Sequence, residues 1–136
     1  MFKLIKILGA KNNVPELERF PTQGYYNNIE EGAAMEMVDG ALEEATRTAH
    51  YIIADYEPTK KDYMLAYRVT PDMVFKVKVI SENFPEVGMR VKPYKVGKTM
   101  QAVTEAEDGY GRVVATCDDF DYAYVKFDKI IKECEC

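Results

Sequence analysis

Three cysteines and one histidine are the side chains of this chain best suited to holding a metal ion. Together they match in number the four ligands of a structural zinc site: His50, Cys117, Cys134 and Cys136. Their spacing argues against one, because a single residue separates Cys134 from Cys136, whereas zinc knuckles usually place two between their cysteines. His50 also lies far from all three in sequence. We therefore expect free thiols in a reducing cytoplasm, with no bound metal and no cofactor.

An acidic run at residues 118–121, Asp-Asp-Phe-Asp, raises the question of a calcium site. Hard cations such as Ca²⁺ take carboxylate oxygens from alternating positions. The run lacks both the spacing of an EF-hand loop and its closing Glu. We interpret it as a solvated turn between strands, whose carboxylates alternatively meet basic residues of a protein partner.

Catalytic chemistry needs a nucleophile beside a base, or two carboxylates with different pKa values. The only serine, Ser81, has no nucleophile-elbow context, and His50 lies in an apolar run typical of a structural histidine. Gly109 and Gly111 are too few for a phosphate-binding loop. The sequence predicts a protein that is not an enzyme and binds something, with an unrecognised active site as the remaining alternative.

The formal net charge of −5 argues against a nucleic-acid partner, because a duplex or RNA requires a basic face. Basic residues do gather at Arg90, Lys92, Lys95 and Lys98, where we expect a solvated strand face. The first eight residues are too short and too rich in lysine for a signal peptide, and no stretch has the length of a membrane span. We expect a protein of the cytoplasm, or of an assembly formed there, with no membrane partner.

Short strands separated by turns must position whatever site this chain has. Asp39-Gly40 separates two short runs and is the dipeptide that accepts positive φ at both centres of a type I′ hairpin turn. Residues 74–80 alternate apolar and basic side chains, which predicts a half-buried strand with Phe75, Val77 and Val79 on one face. Eight or nine such strands at regular spacing indicate a mainly β fold, a small β-barrel or sandwich of short antiparallel strands.

The first 24 residues differ from the rest, because Gly9, Pro15, Pro21 and Gly24 interrupt them at short range. We predict an extended N-terminal arm over residues 1–24 and a single β-rich domain over residues 25–136. The apolar residues of the arm either lie on a partner surface or pack into their own barrel. The candidate partner-binding residues are Phe2, Leu4, Ile5, Ile7, Leu8 and Val14.

Several segments, taken in order, resemble the small capsid decoration proteins of tailed bacteriophages, also called head-stabilising or cement proteins. They are residues 2–6, 13–15, 31–45, 51–53, 69–75, 87–91 and 124–127. The likeness covers most of the chain and rests on the order of its strand and turn patterns. Residues 46–50 and 134–136 have no counterpart in that pattern.

The resemblance implies a structural virion protein that docks on the outer surface of the major capsid protein lattice and stabilises the head against internal DNA pressure. It also implies a homo-oligomer, with a trimer favoured, that is assembled in the host cytoplasm and located on the capsid exterior. Its functional residues are then interface surfaces, and none of them is catalytic.

The alternative function is a small β-barrel adaptor that binds a ligand, a carbohydrate or a nucleic acid. An aromatic-lined concave face would favour this alternative. The tyrosines available to form such a face are Tyr63, Tyr67, Tyr94, Tyr122 and Tyr124. Tyrosine is also common in ordinary strands, so its presence alone favours neither function.

Overall fold

The computed structural model describes residues 1–9, 14–21, 30–46, 48–55, 63–80, 85–96, 99–104, 110–119 and 121–127. Within these ranges the chain forms strands and turns without a helix, so the described part has no helix long and apolar enough to cross a membrane. The strands are β1 (Lys3–Ile7), β2 (Leu17–Pro21), β3 (Ala34–Val38), β4 (Ala41–Glu44), β5 (Tyr51–Asp55), β6 (Tyr63–Arg68), β7 (Met73–Ile80), β8 (Arg90–Val96), β9 (Thr99–Thr104), β10 (Gly111–Thr116) and β11 (Tyr122–Lys126). The mainly β prediction is confirmed, with eleven described strands where eight or nine were predicted.

Five of the strands close into a barrel in the order β7-β11-β10-β8-β9, and a parallel pairing between β9 and β7 completes the ring. β1 pairs antiparallel with the first half of β7, and β9 pairs with its last two residues. On the opposite edge, β11 pairs with β7, and the amide of Val79 donates to the carbonyl of Asp121. β1 and β9 therefore lie end to end along one edge of β7.

The alternation of buried and exposed side chains along β7 follows from its position in the barrel wall. Phe75, Val77 and Val79 are buried, whereas Lys76 and Lys78 on the other face are not. This is the period-two pattern of a strand with one face in the core, so the predicted orientation of these residues is confirmed.

The other five strands form a second, antiparallel sheet in the order β2-β6-β5-β3-β4. Its β3–β4 hairpin turns at Asp39 and Gly40, whose φ angles are 51° and 82°. Positive φ at both central residues defines the type I′ turn, which confirms the prediction made from the Asp-Gly dipeptide.

The sequence interpretation did not predict β2, because it placed residues 17–21 in an extended arm. Residues 17–21 pair in full register with β6, although their sequence shows no apolar alternation. Contacts with neighbouring strands hold them: the rings of Phe20 and Tyr51 meet edge to face at 4.9 Å, and the Arg19 guanidinium lies 4.1 Å from the Tyr63 ring centroid. Pairing and ring contacts with distant residues thus order a segment that has little strand propensity of its own.

One hydrophobic cluster contains buried residues of both sheets. At its barrel end, the rings of Phe2, Phe75 and Phe127 contact one another with centroids 5.6–6.2 Å apart. Phe2 is held there by a backbone hydrogen bond from its amide to the carbonyl of Gly32, in the segment leading into β3. The beginning of the chain therefore ties the barrel to the second sheet.

Candidate functional site

The outer face of four neighbouring strands, β1, β7, β11 and β10, is positively charged. These strands contain no Asp or Glu, although the chain has 23 acidic and 18 basic residues. Their cations, none of which is buried, are Lys3, Lys6, Lys76, Lys78, Arg112 and Lys126. We call this surface the basic face.

The second sheet has the opposite bias. Its strands contain the carboxylates of Glu18, Glu36, Glu43, Glu44 and Asp55. The same strands contain only two cations, Arg19 on β2 and Arg68 on β6. Glu36 is buried, but the other four carboxylates make the surface of the second sheet acidic, opposite in sign to the basic face. Such a difference in charge can orient the molecule as it approaches a charged partner.

A groove of about 570 Å³ crosses the basic face. Among the described residues its lining includes no acidic one and consists of Ile5, Lys6, Leu8, Val74, Arg112, Val114, Ala115, Tyr124 and Lys126. Val74 forms the floor of the groove. Its side chain is only 5% exposed, yet it does not belong to the main hydrophobic cluster. The site thus combines an aliphatic floor with a cationic rim, and we call it the basic groove.

Two β-bulges shape the groove from opposite sides. The β1–β7 register shifts between Leu4 and Lys6, and the β10–β11 register shifts between Val113 and Ala115. The residue skipped at each shift, Ile5 or Val114, lines the groove. A bulge turns an additional side chain toward one face of a sheet and bends the strand, which explains how two otherwise ordinary strands form a concavity here.

Cations stand directly opposite one another at two places on the basic face. Arg112 of β10 is in register with Lys126 of β11, and Lys3 of β1 is in register with Lys76 of β7. Like charges in such cross-strand positions destabilise a sheet. The Arg112–Lys126 pair lies at the rim of the groove, whereas Lys76 also contacts the Asp119 carboxylate.

Two polar contacts lie at the end of the basic face near Asp119. The Lys76 ammonium forms an ion pair with the Asp119 carboxylate, and this hydrogen bond raises the pKa of Lys76. The hydrogen bond between Tyr124 and Cys117 is the main cause that raises the pKa of Tyr124. Tyr124 therefore stays neutral in the physiological range, and the charge at the groove comes from its cations.

A second groove, of about 640 Å³, lies between the end of β1, β2 and the β6–β7 turn. Its lining includes the carboxylates of Glu16, Glu18 and Asp72 and one cation, Arg68. The Arg68 guanidinium donates to the Tyr51 hydroxyl at 2.8 Å, and this hydroxyl donates to a Glu18 oxygen at 3.3 Å. These bonds join β6, β5 and β2, so the polar groups of this groove have a structural role in the second sheet.

The predicted partner-binding residues separate into three environments. Phe2 is buried in the core, and Leu4 and Ile7 pack against it. Ile5 and Leu8 line the basic groove. Val14 is 79% exposed and does not line the groove. The predicted arm contains two strands, β1 in the barrel sheet and β2 in the second sheet.

The sequence interpretation missed the cationic half of the groove, namely Lys6, Arg112 and Lys126. A signal was available in the absence of acidic residues from four strand segments of an acidic chain. That signal becomes visible only once the four segments are known to be neighbours in one sheet.

The residues considered for metal binding are not brought together in the described part of the chain. No group of three or more His, Cys, Asp or Glu among the described residues is placed to hold a metal ion. His50 has a structural contact, since its Nδ1 accepts a hydrogen bond from the Met37 amide at 2.8 Å. Cys134 and Cys136 lie outside the described residues.

Comparisons with protein-family models, curated proteins and solved structures found no match to this chain.

Proposed function

We propose that this protein is a capsid decoration protein that binds the outer surface of the major capsid protein lattice of a tailed bacteriophage and stabilises the head. The resemblance of its segments to that class motivates the proposal. Its structural support is the segregation of charge between the barrel and the second sheet. A lattice-binding protein must dock in one orientation, and a one-sided positive face provides an orienting force.

The size of the molecule is compatible with this role. A standard interface buries roughly 800 Å² on each partner. That is about one tenth of the 8087 Å² of accessible surface on the described protein. One face of the barrel can therefore supply such a contact while the second sheet remains available for other copies. We propose a homo-oligomer, with a trimer favoured, on the exterior of a virion assembled in the host cytoplasm.

The proposal assigns the protein a binding role without catalysis, and without a nucleic-acid or membrane partner. Its test is co-sedimentation of the purified protein with undecorated capsids built from the major capsid protein of the same virus. We expect saturable binding and a higher melting temperature for the decorated capsids. Failure to co-sediment, or binding that leaves capsid melting unchanged, would contradict the decoration role.

The alternative is an adaptor that holds a small anionic ligand in the basic groove. The observation in its favour is the groove volume of about 570 Å³, because small-molecule pockets typically measure roughly 300–1,000 Å³. A thermal-shift screen of phosphorylated and carboxylated small molecules tests it. A hit whose stabilising effect disappears in Lys126→Glu supports the adaptor function.

A further inference from the structure

We propose that the basic groove binds an extended acidic segment of another protein, in which carboxylates flank an aliphatic side chain. This inference rests on the proposed function, since it identifies the groove as the surface that faces the capsid lattice. The partner segment is defined by its chemistry, which the groove lining determines.

The positions of the cations determine the charge of the partner segment. Lys6 is in register with Val74, and Lys126 follows the β11 residue that pairs with Phe75, so it stands beside Val74 on the other side. Arg112 is in register with Lys126 on the next strand. Because neighbouring strands are about 4.8 Å apart, these cations form a row roughly 14 Å long across the sheet. Side chains on one side of an extended chain recur about every 7 Å, so the row spans three of them, with room for two carboxylates and one side chain between them.

The floor of the groove determines the uncharged residues of the partner segment. Ile5, Leu8, Val74 and Val114 offer aliphatic surface between the cations. Leu8 is 44% exposed, so an apolar side chain of a partner would cover surface that now faces water. In a segment with an aliphatic residue between two acidic ones, the aliphatic side chain contacts the floor of the groove while the two carboxylates contact its cationic rim.

The same lining favours a protein over single-stranded nucleic acid. Nucleic acid binds such grooves by stacking its bases on aromatic side chains. The described lining of the groove has one aromatic residue, Tyr124, whose hydroxyl group is engaged with Cys117. Its remaining apolar contacts are aliphatic, which suits Leu, Ile or Val side chains better than flat bases.

The paired cations strengthen the case for an anionic partner. Arg112 and Lys126 repel each other across the strands in the protein alone. A carboxylate placed between them relieves that repulsion and accepts hydrogen bonds from both side chains. The register of these two cations therefore favours an anionic group at the rim of the groove.

The experiment uses a fluorescein-labelled peptide, Glu-Ser-Leu-Ser-Glu-Ser-Leu-Ser-Glu, titrated with the full chain in a fluorescence-anisotropy assay. We expect saturable binding that weakens as salt is added. Lys126→Glu and Lys6→Glu should each weaken it by about tenfold or more, because each places a like charge at the ligand carboxylates. Leu8→Ser should weaken binding by a smaller factor through loss of the apolar contact. Circular dichroism and thermal melting establish that each variant is folded.

Lys78→Glu is the matched control, since Lys78 lies on the same face but does not line the groove. Its affinity for the peptide should stay within about threefold of the wild type. Absence of peptide binding, or equal losses in Lys78→Glu and Lys126→Glu, would overturn the proposal. Tighter binding of a short oligothymidylate than of the peptide would overturn it in favour of nucleic acid. Self-association abolished by Lys126→Glu, without peptide binding, would identify a second copy of this chain as the occupant.

The capsid assay separates this inference from the proposed function. If Lys126→Glu still co-sediments with capsids as the wild type does, the decoration role survives and the groove is not its docking surface. If the peptide binds as expected but capsids do not, the groove chemistry is correct and the decoration role is wrong.

Discussion

Arg112 on β10 and Lys126 on β11 stand directly opposite each other on the outer face of the barrel, at the rim of a groove with an aliphatic floor. A cross-strand pair of like charges lowers the stability of a sheet, and substitutions that remove it should be easy to accommodate at the surface. Residues that oppose stability at a surface position are often retained for binding.

Replacing Lys126 with glutamate should therefore raise the stability of the isolated protein. The change converts a like-charge cross-strand pair into an opposite-charge pair, with an expected gain of about 0.2–1 kcal/mol in the free energy of unfolding. Urea denaturation at low and high salt measures it, and the gain should shrink at high salt. An unchanged or lower stability for Lys126→Glu at low salt would show that the pair is not repulsive.

Phe2 belongs to the aromatic cluster of the barrel end, so Phe2→Ala should be severely destabilising. Loss of its contacts with Phe75 and Phe127 leaves a cavity, with an expected loss of about 3–5 kcal/mol in the free energy of unfolding. Leu8→Ala is the matched control. The Leu8 side chain is half exposed, so its loss should lower the free energy of unfolding by only roughly 0.5 kcal/mol. Denaturant melts of both variants check the difference, and similar losses would show that Phe2 does not anchor the core.

Thr48 offers a substitution that should increase stability. Its Oγ1 is buried without a hydrogen-bond partner, while its amide donates to a Glu36 oxygen at 3.2 Å. Thr48→Val keeps the shape and the amide and removes the unsatisfied hydroxyl, so the free energy of unfolding should rise by about 1 kcal/mol. Thr46→Val, on the exposed side of the same segment, should change it by less than about 0.5 kcal/mol. A destabilised Thr48→Val variant would indicate that the hydroxyl has a partner in solution.

Tyr67 should make the fold sensitive to alkali. Burial raises the pKa of Tyr67 above that of an unfolded tyrosine, so the neutral phenol is favoured in the folded state. Its contribution to stability is complete below about pH 10 and is lost as the pH rises toward the folded-state pKa, at up to about 1.4 kcal/mol per pH unit. Tyr67→Phe should lose less stability than the wild type between pH 10 and 11 in urea melts, whereas Tyr94→Phe, at a half-exposed position, should follow the wild type.

Local patterns predicted the parts of the fold that depend on neighbouring residues. The Asp39-Gly40 turn and the alternation of β7 are visible in the sequence because turn geometry and side-chain direction follow from adjacent residues. The mainly β class follows from the repetition of such patterns.

β2 and the basic groove could not be predicted in this way. Residues 17–21 become a strand by pairing with β6, more than forty residues away in sequence. The groove depends on two register shifts and on the placement of Lys6 next to a strand that begins at Met73. Its aliphatic members Ile5 and Leu8 were among the predicted binding residues, but their cationic neighbours come from β10 and β11.

The position of β1 also has a consequence for the order in which strands can pair during synthesis. β1 finds its pairing partner only in β7, about seventy residues further along the chain, and shares that edge with β9. The aromatic cluster around Phe2 needs Phe75 from β7 and Phe127 from the residue after β11, so it is complete only after both have been synthesised. The edge of β7 that β1 occupies stays open until β1 has docked on it, and in that interval another chain could most easily take the place of β1.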